Sequence, residues 1–175
     1  MDTPCEELKM KRSARSTRFP VALHIMCLLE LVEITDPAAC LSSGWMAHSV
    51  NKNEVFIRQI LSLLVKAGLV RTAAGSKGGA RLTKDSKSIT LLDIYKAVES
   101  ERIFGVHEGN ETCPVANFVE DYLGGYFQEA EDKFEKDLSE VRLSDIGAQI
   151  HAKAISENFR PPPFHEPAPA RTTES

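Results

Sequence analysis

The feature that most restricts the fold is an amphipathic segment followed directly by a glycine-rich hairpin. Residues 53–67 carry apolar side chains at three- and four-residue steps, which is typical of a helix with one buried side: Phe56, Ile57, Ile60, Leu61, Leu64 and Val65. Lys66 and Gly68 favour the end of this helix, since a cation and a glycine both suit a helix C-terminus. Residues 69–72 and 80–83 are short strand candidates on either side of a glycine-rich tip. The sequence therefore predicts a helix that leads into a two-stranded hairpin.

Two further helices are predicted upstream of this unit. Residues 18–32 repeat apolar side chains at helical spacing, with Thr17 as a candidate N-cap and Pro20 in the first turn. Residues 42–50 have the length of a short helix, and a polar turn at 51–53 separates it from the amphipathic segment. This order of helices, turn and hairpin predicts a mainly α fold with a small two-stranded wing, a winged helix-turn-helix.

The second half of the chain is dominated by one long helix. A helix starts at Thr90, residues 100–112 are loop-like, and residues 114–140 carry an apolar stripe that includes Phe118, Tyr122, Tyr126 and Phe134. We interpret the chain as a mobile basic arm (1–15), a winged domain (16–100), an effector loop (101–113), dimerisation helices (114–155) and a disordered proline-rich tail (156–175). A stripe of this length is expected to be buried in a homodimer.

The distribution of charge indicates nucleic acid as the partner of the first half only. The net charge is −4, but residues 1–90 hold 13 Lys and Arg against 8 Asp and Glu, whereas residues 91–175 hold 8 against 17. No apolar run reaches membrane-spanning length, and the N-terminus lacks the apolar centre of a signal peptide, so a cytoplasmic protein is expected. The five histidines are scattered outside any catalytic or zinc-binding motif, which argues against an enzyme.

The start of the amphipathic helix carries the side chains expected to meet DNA. A major groove accepts one helix, which must be apolar behind and polar at its N-terminal front. Asn53, Glu54, Arg58 and Gln59 supply that front; an arginine can bind guanine in bidentate fashion, and a glutamine can do so with adenine. Lys77 and Arg81 in the hairpin are candidates for phosphate or minor-groove contacts. The alternative is a protein-interaction module, in which the long helix binds another partner and the polar face is merely solvated.

Three segments together resemble the Rrf2 family of bacterial transcription regulators. They are residues 56–70 with the K-A-G-L-V ending, residues 76–82 with the glycine-rich wing, and residues 89–95 with T-L-L-D-I; Cys113-Pro114-Val115 and the long helix also match. The resemblance covers roughly residues 10–150. It implies a homodimer that binds a palindromic site in double-stranded DNA. Such a regulator is expected to act as a repressor. The resemblance also implies that certain positions face bases and that Lys77 and Arg81 face the backbone or minor groove; the base-facing positions are Asn53, Val55, Phe56, Arg58 and Gln59.

The loop before the long helix departs from the cluster-binding members of that family, which carry three neighbouring cysteines. Residues 104–115 hold Cys113 alone, and an iron–sulfur cluster needs several thiolates. We therefore expect neither a cluster nor another metal, and we interpret His107 as a solvated loop residue. Cys113 is expected to be a buried, inert side chain; the alternative is a redox-active or effector-responsive thiol at a helix start, in a thiol- or metal-responsive sensor regulator of the same family.

Overall fold

The computed structural model describes residues 16–75, 78–99, 103–104, 110 and 112–158, the side chains of residues 116, 117 and 120 aside. No helix within these ranges is long and apolar enough to cross a membrane. The observed elements confirm a mainly α fold with one two-stranded antiparallel sheet. They are α1 (Arg18–Thr35), α2 (Ser43–Val50), α3 (Glu54–Lys66), β1 (Val70–Ala73), β2 (Gly79–Leu82), a 3₁₀ turn (Ser86–Ser88), α4 (Leu91–Val98), α5 (Pro114–Glu140) and α6 (Leu143–Ser156).

One apolar core joins the first four helices and the sheet, and α6 adds to it. Side chains with almost no exposed surface come from each of these elements, among them Ile25 of α1, Met46 of α2, Ile60 of α3, Ile94 of α4 and Leu143 of α6. Each such side chain contributes roughly 1.5–3 kcal/mol through its removal from water. This core fixes α3 from behind and leaves its front face free.

The starts of α2, α3 and α4 are capped by short polar side chains. The Asn53 side chain accepts a hydrogen bond from the Val55 amide at 2.8 Å, and Thr90 with Asp93 forms a reciprocal capping box at α4. Thr17, the N-cap expected for α1, makes no side-chain capping bond. The carboxylate of Glu99 accepts instead from the Phe19 amide at 3.3 Å, so the end of α4 helps to satisfy the start of α1.

The hairpin is tied to the rest of the domain by a third extended segment. β1 and β2 pair antiparallel with Arg71 opposite Arg81, and Leu41 exchanges two backbone hydrogen bonds with Ala80. A Cβ at Gly79 would lie 2.6 Å from the carbonyl oxygen of Leu41, closer than any real side chain permits. Glycine at this position therefore allows the close approach that fixes the hairpin beside α2 and α3.

The long helix α5 divides into an anchored half and an uncovered half. Towards its C-terminus, the Phe134 ring meets Tyr95 of α4 edge to face at 5.2 Å, and Lys96 pairs with Glu135 at 2.6 Å. Towards its N-terminus, Tyr122 and Tyr126 are 75% and 71% exposed. The expectation that Phe134 belongs to the uncovered stripe is thus corrected in part, because this ring packs on α4 of its own chain.

Candidate nucleic-acid interface

Helices α2 and α3 form the helix-turn-helix, and residues 51–53 set the angle between them. Asn51 ends α2 in the left-handed conformation, with φ 52°, and its amide donates to the carbonyls of Ala47 and His48. Asparagine adopts this conformation more readily than most residues, so a tight turn forms without glycine. The caps on either side of the turn, Ser42 for α2 and Asn53 for α3, begin each helix at a defined residue.

The front of α3 presents an exposed stripe opposite its buried face. Ile57, Ile60, Leu61 and Leu64 face the core. On the outer side the exposed residues follow at helical steps: Val55, Arg58, Gln59, Ser62 and Lys66. Val55 on this stripe is 58% exposed. A branched apolar group among donors and acceptors suits contact with a thymine methyl beside polar base edges.

Four of the five sequence-predicted base-facing residues lie at this front, and one does not. Asn53, Val55, Arg58 and Gln59 are exposed at the start of α3. Phe56 is half-buried and packs against the core, because its position on the helix turns it towards the domain interior. A large aromatic side chain there supports α3 from behind and is a poor candidate for a base contact.

Arg58 is held in place by a short polar network that begins on α2. One carboxylate oxygen of Glu54 accepts hydrogen bonds from the Ser43 hydroxyl at 2.7 Å and from the Arg58 guanidinium at 2.5 Å. The Ser43 hydrogen bond lowers the pKa of Glu54 below its usual value, and the charge of Arg58 lowers it further. Arg58 keeps most of its five donors, and its side chain is 62% exposed. The contact with Glu54 orients the guanidinium at the exposed front of α3, beside the wing.

Sequence reasoning named Glu54 only as a polar residue and missed its part in this network. The four-residue spacing from Glu54 to Arg58 is a signal that could have indicated the pair. The contact with Ser43 joins two helices across the turn and has no local signature. Glu54 and Ser43 are therefore added to the candidate site as residues that position Arg58.

A groove of about 510 Å³ separates α3 from the wing. Its α3 wall includes Arg58 and Ser62, and its opposite wall is the wing backbone around Ala73 and Gly79. Ser42 and Ser43, at the start of α2, close one end. Apolar side chains such as Leu61 and Val65 also line this space, and the Arg58 guanidinium and the serine hydroxyls are the groups there that can donate to phosphate oxygens.

The two arginines of the wing differ in what they can reach. Arg81 is half-buried, and its guanidinium donates to the carbonyl of Pro37 in the connection between α1 and α2. Its cross-strand neighbour Arg71 is exposed, and the sequence analysis did not select it. Lys77, the other predicted wing contact, lies outside the described residues.

A family model described as Rrf2, an iron-dependent transcriptional regulator, matches residues 15–149 of this chain. The chain belongs to the Rrf2 family. Among curated Rrf2-like relatives, YwnA of Bacillus subtilis (strain 168), named as an HTH-type transcriptional regulator, is 38% identical over 133 residues, which cover 75% of this chain and 95% of YwnA. The family and its named relatives are transcription regulators and not enzymes.

Solved structures of Rrf2 regulators share the fold. CymR, the global cysteine regulator of B. subtilis, aligns with a TM-score of 0.56 at 25% identity over 77% of this chain and 95% of CymR. IscR of T. potens aligns with a TM-score of 0.58 at 19% identity over 85% of this chain and 93% of IscR. The likeness confirms the winged helix-turn-helix with its long helix.

The iron that the Rrf2 description implies finds no matching donor set here. Among the described residues, no three His, Cys, Asp or Glu side chains are grouped so that they could hold a metal ion. Cys27 is half-buried against the core, where burial raises the pKa of its thiol to about 12, an environment that disfavours a thiolate ligand. The effector loop contributes Cys113 alone. His107 lies outside the described residues.

Cys113 itself occupies a different environment from the one expected. It precedes Pro114 at the start of α5 and is exposed, so the expectation of a buried, inert side chain is wrong for the single chain. The physical reason is that the first turns of α5 project beyond the core, which covers only the C-terminal half of that helix. An exposed thiol at this position is open to chemical modification.

Proposed function

We propose that two copies of this chain bind a palindromic site in double-stranded DNA and repress transcription there. The single observation that carries the proposal is the exposed stripe on α3, with Arg58 oriented by Glu54 and a groove leading to the wing. Placed in a major groove, this front sets Val55, Arg58 and Gln59 against base edges, while Arg71 and Lys77 of the wing meet the backbone. Repression follows if the bound dimer covers promoter DNA that polymerase must occupy, in the cytoplasm where that DNA lies.

The uncovered half of α5 supports a homodimer. Val115, Phe118, Tyr122 and Tyr126 leave between 58% and 75% of their surface exposed, and this face continues from a half that is anchored to the winged domain. A monomer that exposes such a row of large apolar side chains is uncommon. A second copy of the same helix offers a complementary apolar row, and two-fold pairing would place two α3 helices on one face of the DNA.

Selection from a random pool of duplex DNA tests the proposal directly. We expect the purified protein to enrich two inverted half-sites whose centres lie about 34 Å apart, or a multiple of this spacing, because a two-fold dimer reads successive turns of the groove. Affinity for the enriched site should fall steeply with salt, as phosphate contacts release counterions. Enrichment of a single unpaired half-site would contradict the dimer, and no enrichment at all would contradict specific DNA binding.

A second candidate function, a thiol-responsive regulator, is favoured by the exposure of Cys113. Oxidation or modification of this side chain would add bulk or polarity at the start of α5, next to the apolar face proposed for dimerisation. Such a change would alter the angle between two winged domains and hence the affinity for DNA. A protein-interaction module without DNA binding is less well supported, because it assigns no role to the oriented Arg58 side chain.

A further inference from the structure

A second cavity lies on the other side of the wing, between α1, α6 and the base of the hairpin. This cleft has a volume of about 740 Å³, and Glu30 of α1 forms part of its wall. It shares no lining residue with the groove beside α3. Of the residues proposed to contact DNA, Arg71 lines this cleft, whereas Glu30 has no part in the proposed DNA contact.

Glu30 is an unusual wall residue because it is buried and incompletely bonded. Its residue surface is only 4% exposed, and among the described residues its Oε2 atom has no hydrogen-bond partner. A carboxylate held in this way loses hydration without full replacement, at a cost in stability. α6 is adapted to this side chain: a Cβ at Gly147 would collide with Oε2 of Glu30.

Charged groups of both signs surround this carboxyl. Burial raises the pKa of Glu30, as do Asp85 and Asp145, while the Ser86 hydroxyl and His151 act in the opposite direction. Further out, the exposed charged residues that line the cleft are three cations, Arg71, Lys84 and Lys87, and two carboxylates, Glu33 and Asp85. A buried carboxyl with cations at the rim of the same cleft can accommodate a ligand that carries both charges.

We propose that this cleft binds a small zwitterion of the α-amino acid class, with its ammonium group on Glu30 and its carboxylate towards the cations around Arg71 and Lys84. An ammonium group in the cleft supplies the positive charge that a buried carboxylate requires. A metal ion fits less well, because the described His, Cys, Asp and Glu side chains form no group of three that could hold one. Arg71 belongs to β1, so a ligand bound here would link the wing to α1 and α6.

Binding can be measured on the full chain without DNA, so the result does not depend on the proposed function. Ligand-observed NMR would screen the proteinogenic L-amino acids at about 5 mM, and the best ligand would be titrated by calorimetry. We expect saturable binding by at least one of them. Glu30→Gln should weaken this binding by about tenfold or more, since the pair loses its charge, whereas Glu33→Gln should change it by less than about twofold. Thermal unfolding of both variants would verify that each is folded.

Two chemical analogues keep the test independent of the variants. The N-acetyl derivative of the best ligand, which has no ammonium group, should fail to bind the unaltered protein. The corresponding amine without its carboxylate should bind the unaltered protein several-fold more weakly. The zwitterion should also bind several-fold more weakly to the Arg71→Ala, Lys84→Ala double variant. Absence of binding by every amino acid, or equal affinity of the Glu30→Gln variant, would overturn the proposal. Equal affinity of the amine would show a simple cation site and would overturn the zwitterion assignment.

Discussion

The Arg58 guanidinium shows how one residue can be exposed and still ordered. It shares a Glu54 oxygen with Ser43, so its position depends on a contact that crosses the helix-turn-helix. Exposed ion pairs stabilise a fold by very little, on the order of 0–1 kcal/mol. The network therefore matters less for folding than for the direction in which the remaining donors of Arg58 point.

We expect Arg58→Ala to weaken binding to the selected DNA site by about 1–3 kcal/mol and to relax the preference at one base pair. The reason is the loss of a bidentate contact to a base edge. Competition titrations against singly substituted sites would measure both effects. Lys153→Ala, which removes an exposed cation on α6, is the matched control and should leave the preference unchanged. Unaltered affinity and preference in Arg58→Ala would assign base reading to other residues.

Glu30 differs from Arg58 because it is buried and its burial has a cost in stability. We expect Glu30→Met to raise the free energy of unfolding at pH 7 by about 1–2 kcal/mol, because it replaces an incompletely bonded buried carboxyl with an apolar side chain of similar length. The exposed Glu33→Met is the control and should change stability by less than about 0.5 kcal/mol. Urea denaturation followed by circular dichroism would give both values.

The difference in the free energy of unfolding between the unaltered protein and Glu30→Met should depend on pH with a definite sign. The folded pKa of Glu30 is raised above its ordinary value of 4.5, so between these two values the folded state holds more protons than the unfolded state. The free energy of unfolding of the unaltered protein therefore falls, relative to Glu30→Met, as pH rises through this window. A difference between the two proteins that is constant across the window would show that Glu30 is not desolvated.

At the scale of elements, the sequence predicted the positions of the helices, which local patterns determine. It did not predict contacts between segments that are distant in sequence. The helices were predicted within a few residues, because apolar periodicity and end signals such as Gly68 act locally. Phe134 docks on α4 and Arg81 binds the Pro37 carbonyl, and each contact joins segments that are far apart in sequence. The Glu30 cleft was missed for the same reason, since its walls come from α1, both strands of the wing, the 3₁₀ turn and α6.

Substitutions in the wing test whether this element contacts the DNA backbone rather than individual bases. We expect Lys77→Ala, and separately Arg71→Ala, to weaken binding to every duplex alike and to lower the slope of log affinity against log salt by about 1. Arg81→Ala should give a smaller change in that slope, because its guanidinium already donates to Pro37. Filter-binding titrations at several salt concentrations would measure the slopes. A loss confined to one sequence would show that the residue reads bases.

For α5, we expect Tyr122→Asp to convert the protein to a monomer with a mass near 19.4 kDa. The substitution places a charge in the apolar row, where a second copy would have to desolvate it. The folded chain itself should tolerate the change, since this side chain is 75% exposed. Gln128→Asp adds the same carboxylate to the same helix, keeps the aromatic row and is the control. Light scattering that found a monomer before any substitution would refute the homodimer.

At the scale of the whole molecule, the prediction concerns what the protein senses. We expect the protein purified without oxygen to be colourless and to lack stoichiometric iron and sulfide, because one cysteine per effector loop leaves a cluster short of thiolates. Any response of DNA binding to peroxide should disappear in Cys113→Ser and persist in Cys40→Ser. Visible charge-transfer absorbance would contradict the first expectation, and a response that survives in Cys113→Ser would contradict the second.

The one-sided anchoring of α5 makes this helix a lever. Residues 115 and 134 are separated by about 28 Å along the axis at 1.5 Å per residue, and the contacts described between α5 and α4 lie near Phe134. A tilt of about 10° at that end displaces the other by roughly 5 Å, about the length of one helical turn. In the proposed dimer, repacking around Tyr95 would therefore change the separation of the two α3 helices. In that proposed dimer, the packing of Phe134 on Tyr95 would influence the spacing of the two DNA half-sites although neither ring contacts DNA.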